Sequence, residues 1–283
     1  MTPSPLELAE VQKVADTLPP GPRLLAELNE LLLDPNSDNV AVTSLLNRDG
    51  ALTSGIIRMA NSLAFRRGGT VGTLDAALLR VGFQQVYTLV GLASAAQFAD
   101  MPLRFYPVTT RTLRQNGLMS ALLMEELAAA TGLAPRPAYT AGLLTSLGMI
   151  ALDLAAQRSR DPLALPPMGD DGIIEWEKRT FGLTSTEAAA HLLKTWKFPP
   201  EVFVAVRDHR LVGLAVDPLP EAKPRHVAAA QTDEEGFGLP GEQPLWSAHA
   251  AQAWQDLALD DERMKTATAR ARARFEKLRS AIE

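Results

Sequence analysis

Asn47-Arg48-Asp49-Gly50-Ala51-Leu52-Thr53-Ser54, followed by Ile57-Arg58-Met59-Ala60-Asn61-Ser62, reads as a turn that opens a helix and a second turn that closes it. Asp49 stands where a carboxylate can cap free backbone N–H groups. Leu52, Ile56, Ile57 and Met59 supply the apolar stripe of the helix it opens. Asn61, at the far end, is placed to tie the closing turn back to that helix, with recognition as its alternative role.

Helical signals continue on both sides of this stretch. Upstream, Leu24, Leu25, Leu28, Leu31 and Leu32 repeat at helical spacing after Pro19-Pro20-Gly21-Pro22, where proline suits a first turn. That helix stops at Asp34-Pro35-Asn36, and Asp38 can cap a short successor over Val40 to Leu46. Downstream, Arg66-Arg67-Gly68-Gly69 is a break, and Thr73 can cap a helix holding Leu74, Ala77 and Leu78. After Gly82, Phe83, Val86, Tyr87 and Val90 share one face of a long helix that runs to Asp100-Met101-Pro102. Residues 109–131 and 136–157 predict two further long helices rich in leucine, methionine and alanine.

Thr184 and Glu187 have capping-box spacing ahead of a helix with Ala188, His191, Leu192 and Trp196, and Pro199-Pro200 opens Val202 to His209. Residues 218–243 are rich in proline, glycine and acid and are expected to form a linker of low structure. Helices are expected from about Pro244 to Ala258 and from Asp260 to the end, the latter a solvated helix with Arg270 and Arg274 aligned at i, i+4. No segment alternates as a strand should. The fold class is all-α, an irregular multi-helix bundle in two lobes that divide near Met101 to Pro107. The expected divisions are 1–106, 107–217, the acidic linker 218–243 and the C-terminal helices 244–283.

The 283 residues include no cysteine, which excludes disulfides, thiolate metal sites and cysteine nucleophiles. The four histidines, His191, His209, His226 and His249, include no pair at three- or four-residue spacing. No phosphate-binding glycine loop and no nucleophile elbow occurs. The net charge of −5 and hydrophobic content of 46% describe an ordinary globular chain. With no export signal and no long uncharged apolar run, a cytoplasmic protein without a membrane partner is expected. Charge is uneven: residues 262–283 carry seven bases against three acids, and residues 48–114 carry eight arginines against three acids. Arg58, Arg66, Arg67 and Arg80 are therefore a candidate surface for an anion or an acidic partner, set against a plain solvated surface. The overall negative charge disfavours nucleic acid.

The opening stretch resembles the signature of HDOD proteins, the bacterial HD-related output domain family. The family has an arginine-aspartate-proline-alanine-leucine run leading to a helix that ends in alanine-asparagine-serine. Arg48, Asp49, Leu52, Asn61 and Ser62 match it, and Gly50 stands in place of the proline. The similarity continues through Val71-Gly72-Thr73-Leu74-Asp75-Ala76-Ala77, Val81-Gly82, Ala141-Gly142-Leu143-Leu144 and the Leu192, Trp196 and Pro199 positions, spanning about residues 18–210.

The resemblance implies an HD-domain-like helical core. In catalytic HD phosphohydrolases, histidines and aspartates bind metal that activates water. On those ligand positions this chain has Asn116, Thr145, Ser146 and Ser185, with His209 alone retained. Neutral amides and hydroxyls are poor ligands for a divalent ion. The implied reading is no catalytic residue, no metal and no cofactor, the degenerate positions lining a small polar remnant. The resemblance further implies a non-enzymatic bacterial signal-transduction output or adaptor module that recognises signalling proteins. A binder of a cyclic dinucleotide or other phosphate ligand, and a residual metal-dependent phosphohydrolase, remain as alternatives.

Overall fold

The protein is described from a computed structural model, which covers residues 5–65, 68–159, 168, 172–211, 222–243, 245 and 257–282. Capping chemistry sets the first helices. After α1 (Leu8–Ala15) and α2 (Gly21–Leu33), the Asp38 carboxylate accepts the Ala41 N–H at 2.8 Å and starts α3 (Asn39–Leu46). Asp49 accepts the N–H groups of Ala51 and Leu52 and starts α4 (Gly50–Ala60). Thr73 caps α5 (Leu74–Val81), and Gly82, at φ +84°, turns the chain directly into α6 (Phe83–Ala99). Each cap satisfies backbone donors that the first helical turn leaves without an internal partner.

The second half begins with α7 (Thr110–Thr131), α8 (Pro135–Leu143) and α9 (Leu147–Ser159). It continues through α10 (Ile173–Phe181), α11 (Ser185–Thr195) and α12 (Pro200–Asp208), and ends with α13 (Ala222–Thr232) and α14 (Asp261–Ile282). No strand occurs among the described residues. The helix α6 packs on α2 and α4 on one side and reaches α7, α8 and α9 on the other. One apolar core therefore runs through both lobes, from Leu25 and Leu46 to Leu152 and Phe275. The first helix, α1, packs against α9 and α11, so the N-terminal lobe expected over 1–106 gives this element to the other lobe.

Two expectations are corrected. The long helix predicted over 136–157 breaks at residues 144–146 into α8 and α9. There the Thr145 hydroxyl bonds to the carbonyls of Ala141 and Gly142, at 3.2 and 2.6 Å, and its competition for those acceptors ends α8. The apolar stretch Pro135–Arg158 is long and apolar enough to cross a membrane by composition, yet 89% of its most apolar 18 residues are buried inside the fold.

The second correction concerns the linker expected over 218–243. Residues 222–232 form α13, which is buried between α7 and α12, and a π turn over Asp233–Phe237 follows it. The prolines and acids at the edges of that window hid the run Val227-Ala228-Ala229-Ala230, small enough to pack helix against helix. Most of the helix expected over 244–258 lies outside the described residues.

Candidate functional site: a degenerate ligand cluster refilled by arginine

Two polar clusters carry the residues singled out by sequence. The first closes the α4–α5 hairpin. Asn61 donates its Nδ2 to the carbonyls of Ile57 (3.0 Å) and Val71 (2.8 Å), and its Oδ1 accepts the Val71 N–H at 2.9 Å. Arg80 donates to the same Oδ1 at 3.1 Å and to the Gly69 carbonyl. The side chain of Asn61 thus pairs with extended backbone ten residues away much as a neighbouring strand would. Asp49 is 8% exposed and also accepts from Gln97 of α6, which pins the start of α4 to the lobe interface. Leu52 is fully buried. Arg48 pairs with Glu27 across exposed surface, and Ser62 closes the turn through its N–H to the Met59 carbonyl. Of the candidate anion surface, Arg80 is committed to this hairpin, while Arg58 sits close enough to Arg114 to disfavour its charge. Arg66 and Arg67 lie outside the described residues.

The second cluster gathers the degenerate ligand positions. Asn116 on α7, Thr145 and Ser146 at the α8–α9 break, Ser185 at the start of α11 and His209 after α12 are all buried, at 7% exposure or less. The approach of α9 to α11 depends on Gly148, where a β-carbon would stand 1.7 Å from the Ser185 carbonyl oxygen. Into this space project side chains that sequence reasoning passed over. Arg225 of α13 donates Nη2 to the Thr145 hydroxyl at 2.8 Å. Arg210 donates Nη1 to Ser185 Oγ (3.0 Å) and to Glu177 Oε2 (3.1 Å), and its Nε and Nη2 to Glu242 Oε1 (3.2 and 2.6 Å). Asn116 donates to the Phe237 carbonyl at 2.8 Å, and Ser120, one turn further along α7, meets Thr232.

Charge in this cluster is settled internally. Glu177 is fully buried on α10, and burial pushes its carboxyl up, against Arg210, the Ser185 N–H and hydroxyl, and the Tyr106 hydroxyl. Burial works against the Arg210 charge too, but Glu177 and Glu242 outweigh it and hold its pKa above the usual value. Arg225 has no such direct partner. Burial brings it down to about 10, with Arg210 adding to the shift and Glu242 opposing it, so it stays charged at neutral pH. Among the described residues its Nε and Nη1 find no hydrogen-bond partner.

The two histidines nearby are fixed as Nδ1 donors. His209 must donate its Nδ1–H to the Val206 carbonyl, and His226 its Nδ1–H to the His209 carbonyl, because a carbonyl can only accept. His209 is held well below its ordinary pKa, by burial first and then by Arg225 and Arg210.

These donors do not fit the metal that the HD framework would otherwise imply. Asn116, Thr145, Ser146 and Ser185 bring no negative charge, and two guanidinium groups already stand among them. Among the described residues no three histidine, aspartate or glutamate side chains come together as a metal-holding group. The cation-bearing residues escaped sequence reading because Arg210 and Arg225 belong to no motif. Their only signal was basic residues inside stretches otherwise fit for burial.

A family profile described as the HDOD domain matches residues 18–212. No curated protein matches the chain. Among solved structures, a protein provisionally named a signal transduction protein, from Marinobacter aquaeolei VT8, aligns at 20% identity and TM-score 0.70. That alignment covers 94% of this chain and 58% of the other, so this chain spans under two thirds of that longer protein. An HDOD domain protein of unknown function from Geobacter sulfurreducens aligns at 18% identity and TM-score 0.67, over 97% and 96% of the two chains. A protein provisionally named a phosphohydrolase, from Shewanella amazonensis SB2B, aligns at 22% identity and TM-score 0.64, over 97% and 98%. At these identities the likeness is one of fold. The hairpin signature, the helical core and the profile over residues 18–212 agree that the chain belongs to the HDOD family.

Proposed function

We propose that this protein is a non-enzymatic signal-transduction module of the cytoplasm that acts by recognising other proteins through its helix faces. The observation that carries the reading is the pair of buried guanidiniums, Arg210 and Arg225, among the positions where a hydrolase of this superfamily would hold metal. A divalent ion entering there would meet two fixed positive charges and no free carboxylate, since Glu177 and Glu242 are spent on Arg210. Without the ion, water at the cluster has nothing to lower its pKa and no phosphate oxygen is polarised. The experiment is metal analysis of purified protein together with turnover of a phosphodiester panel in added manganese or magnesium. Substoichiometric metal and no turnover are expected. Stoichiometric metal with turnover would overturn the reading.

A second reading has one feature in its favour. Thr110, Arg111, Arg114 and Gln115, at the start of α7, line a cavity of about 200 Å³ beside Ile282, with Arg58 close to Arg114. Arg114 is paired with Asp100 and donates to the Ile282 carbonyl, so an anionic ligand in this cavity would compete with Asp100 for it beside Arg111. A rise in Tm with a nucleotide or cyclic dinucleotide, abolished by Arg111→Glu, would support it, because a ligand that prefers the native state stabilises it.

A further inference from the structure

The helix α14 begins almost fifty residues beyond the end of the family match. Its buried residues are Met264, Ala267, Ala271, Phe275, Leu278 and Ile282, one stripe at spacings of three and four. The described residues between them are exposed or partly exposed. That stripe lies along α7. Arginines beside it meet acids on the underlying surface: Arg274 pairs with Glu125 (2.7 Å) and Glu126 (3.2 Å), and Arg272 with Glu235 of the π turn (2.7 Å).

The seat is incomplete. A cleft of about 300 Å³ runs between α14 and the Glu126 to Ala130 end of α7, and one of about 550 Å³ separates α14 from Gln231, Glu234 and Glu235. A narrow apolar seam, half-buried ion pairs and open flanks are the marks of an element that opens below the global unfolding free energy.

We propose that the face of α7 and the π turn beneath α14 is a docking groove for a basic amphipathic helix of a partner protein, and that α14 is its resident occupant. The inference rests on the protein-recognition reading above. Charge complementarity selects the partner's chemistry: an apolar stripe at heptad spacing to replace Met264 and Phe275, flanked by arginine or lysine to meet Glu125, Glu126 and Glu235.

Displacement would also reach the degenerate cluster. Phe275 packs on Phe237 with ring centroids 4.4 Å apart, and the Arg272 guanidinium lies 5.3 Å from the same ring. The Phe237 carbonyl in turn accepts from Asn116. The π turn, bent at Gly236 (φ +84°), is thus held from outside by α14 and from inside by α7.

The test uses the full chain and a fluorescein-labelled peptide of residues 259–282 as probe. Arg270→Glu with Arg274→Glu loosens the resident helix and leaves the groove intact, so the probe should bind this variant at least tenfold more tightly than the wild type. Adding Glu125→Lys and Glu126→Lys should abolish that gain. Equal binding to all three proteins would overturn the proposal. A concentration-dependent dimer with exchanged α14 would assign the groove to a second copy and overturn the partner assignment.

Hydrogen exchange gives an independent check on the wild type. Amides of 261–282 should exchange through a local opening faster than those of 116–128, and a single common opening would contradict the proposal. Metal content and turnover are read on the wild type, without these substitutions, so failure of the groove and failure of the non-enzymatic reading are told apart.

Discussion

The hairpin around Asn61 and the cluster around Arg210 are both built from polar side chains, yet they solve different problems. At the hairpin, side chains answer backbone groups nearby in sequence: Asn61 serves Ile57 and Val71, and Asp49 serves Ala51 and Leu52. In the cluster, charges from α10, the turn after α12, α13 and the segment after the π turn converge on Thr145 and Ser185. The hairpin is held by local backbone pairing, whereas the cluster is held by charges brought together from distant helices, which on the proposed reading occupy the place of a metal ion.

The largest effect should come from breaking the ionic half of the cluster. Arg210→Met leaves Glu177 and Glu242 buried and unpaired and should cost about 3–5 kcal/mol in urea unfolding. A loss below about 1 kcal/mol would show that water already screens the carboxylates. Next is the hairpin: Asn61→Ala strands the Val71 N–H and carbonyl and should cost about 1–3 kcal/mol. If Asn61→Ala proved as costly as Arg210→Met, the contrast between the two regions would collapse.

The pH dependence sharpens the contrast further. His209 is neutral in the fold and has a depressed pKa, so below its unfolded value, about 6.5, the unfolded chain binds the extra proton. Its contribution is fully present above that pH and is lost as pH falls from 6.5 toward the lower folded value. The slope should approach about 1.4 kcal/mol per pH unit between pH 6 and 5. His209→Gln should flatten that slope, and an unchanged profile would place the acid sensitivity elsewhere.

The smallest effect should be Arg225→Met. A buried guanidinium with one hydrogen bond gains little from its surroundings, so an apolar chain of similar length should leave stability within about 1 kcal/mol of wild type, or raise it. A loss comparable to that of Arg210→Met would mean that Arg225 has a partner as strong as Glu177.

These contrasts also explain what sequence could reveal. Asp38, Asp49, Thr73 and the Thr184–Glu187 box were legible because capping is local: donor and acceptor lie within three residues. The apolar stripes of α2 and α4 were legible by periodicity. The break at Thr145 was not, because alanine and leucine on both sides carry a helical pattern straight through it. Nor was α13, because its burial depends on α7 and α12, more than ten residues away in the chain. The degenerate positions were found through family resemblance, but the arginines that fill them were not. Glu177, Arg210, Arg225 and Glu242 form one network only after folding, across a sequence separation no local pattern spans.

The account turns on whether positive charge from the chain has displaced the metal. Isothermal titration of the metal-stripped protein with manganese, wild type beside Arg225→Met, addresses this in a single experiment. The wild type should show no saturable heat at one ion per chain, and the variant should show none either, because Arg210 and the neutral ligand positions remain. Stoichiometric, saturable binding to the wild type would contradict the account, since it would place a divalent cation beside two guanidiniums that the fold does not move.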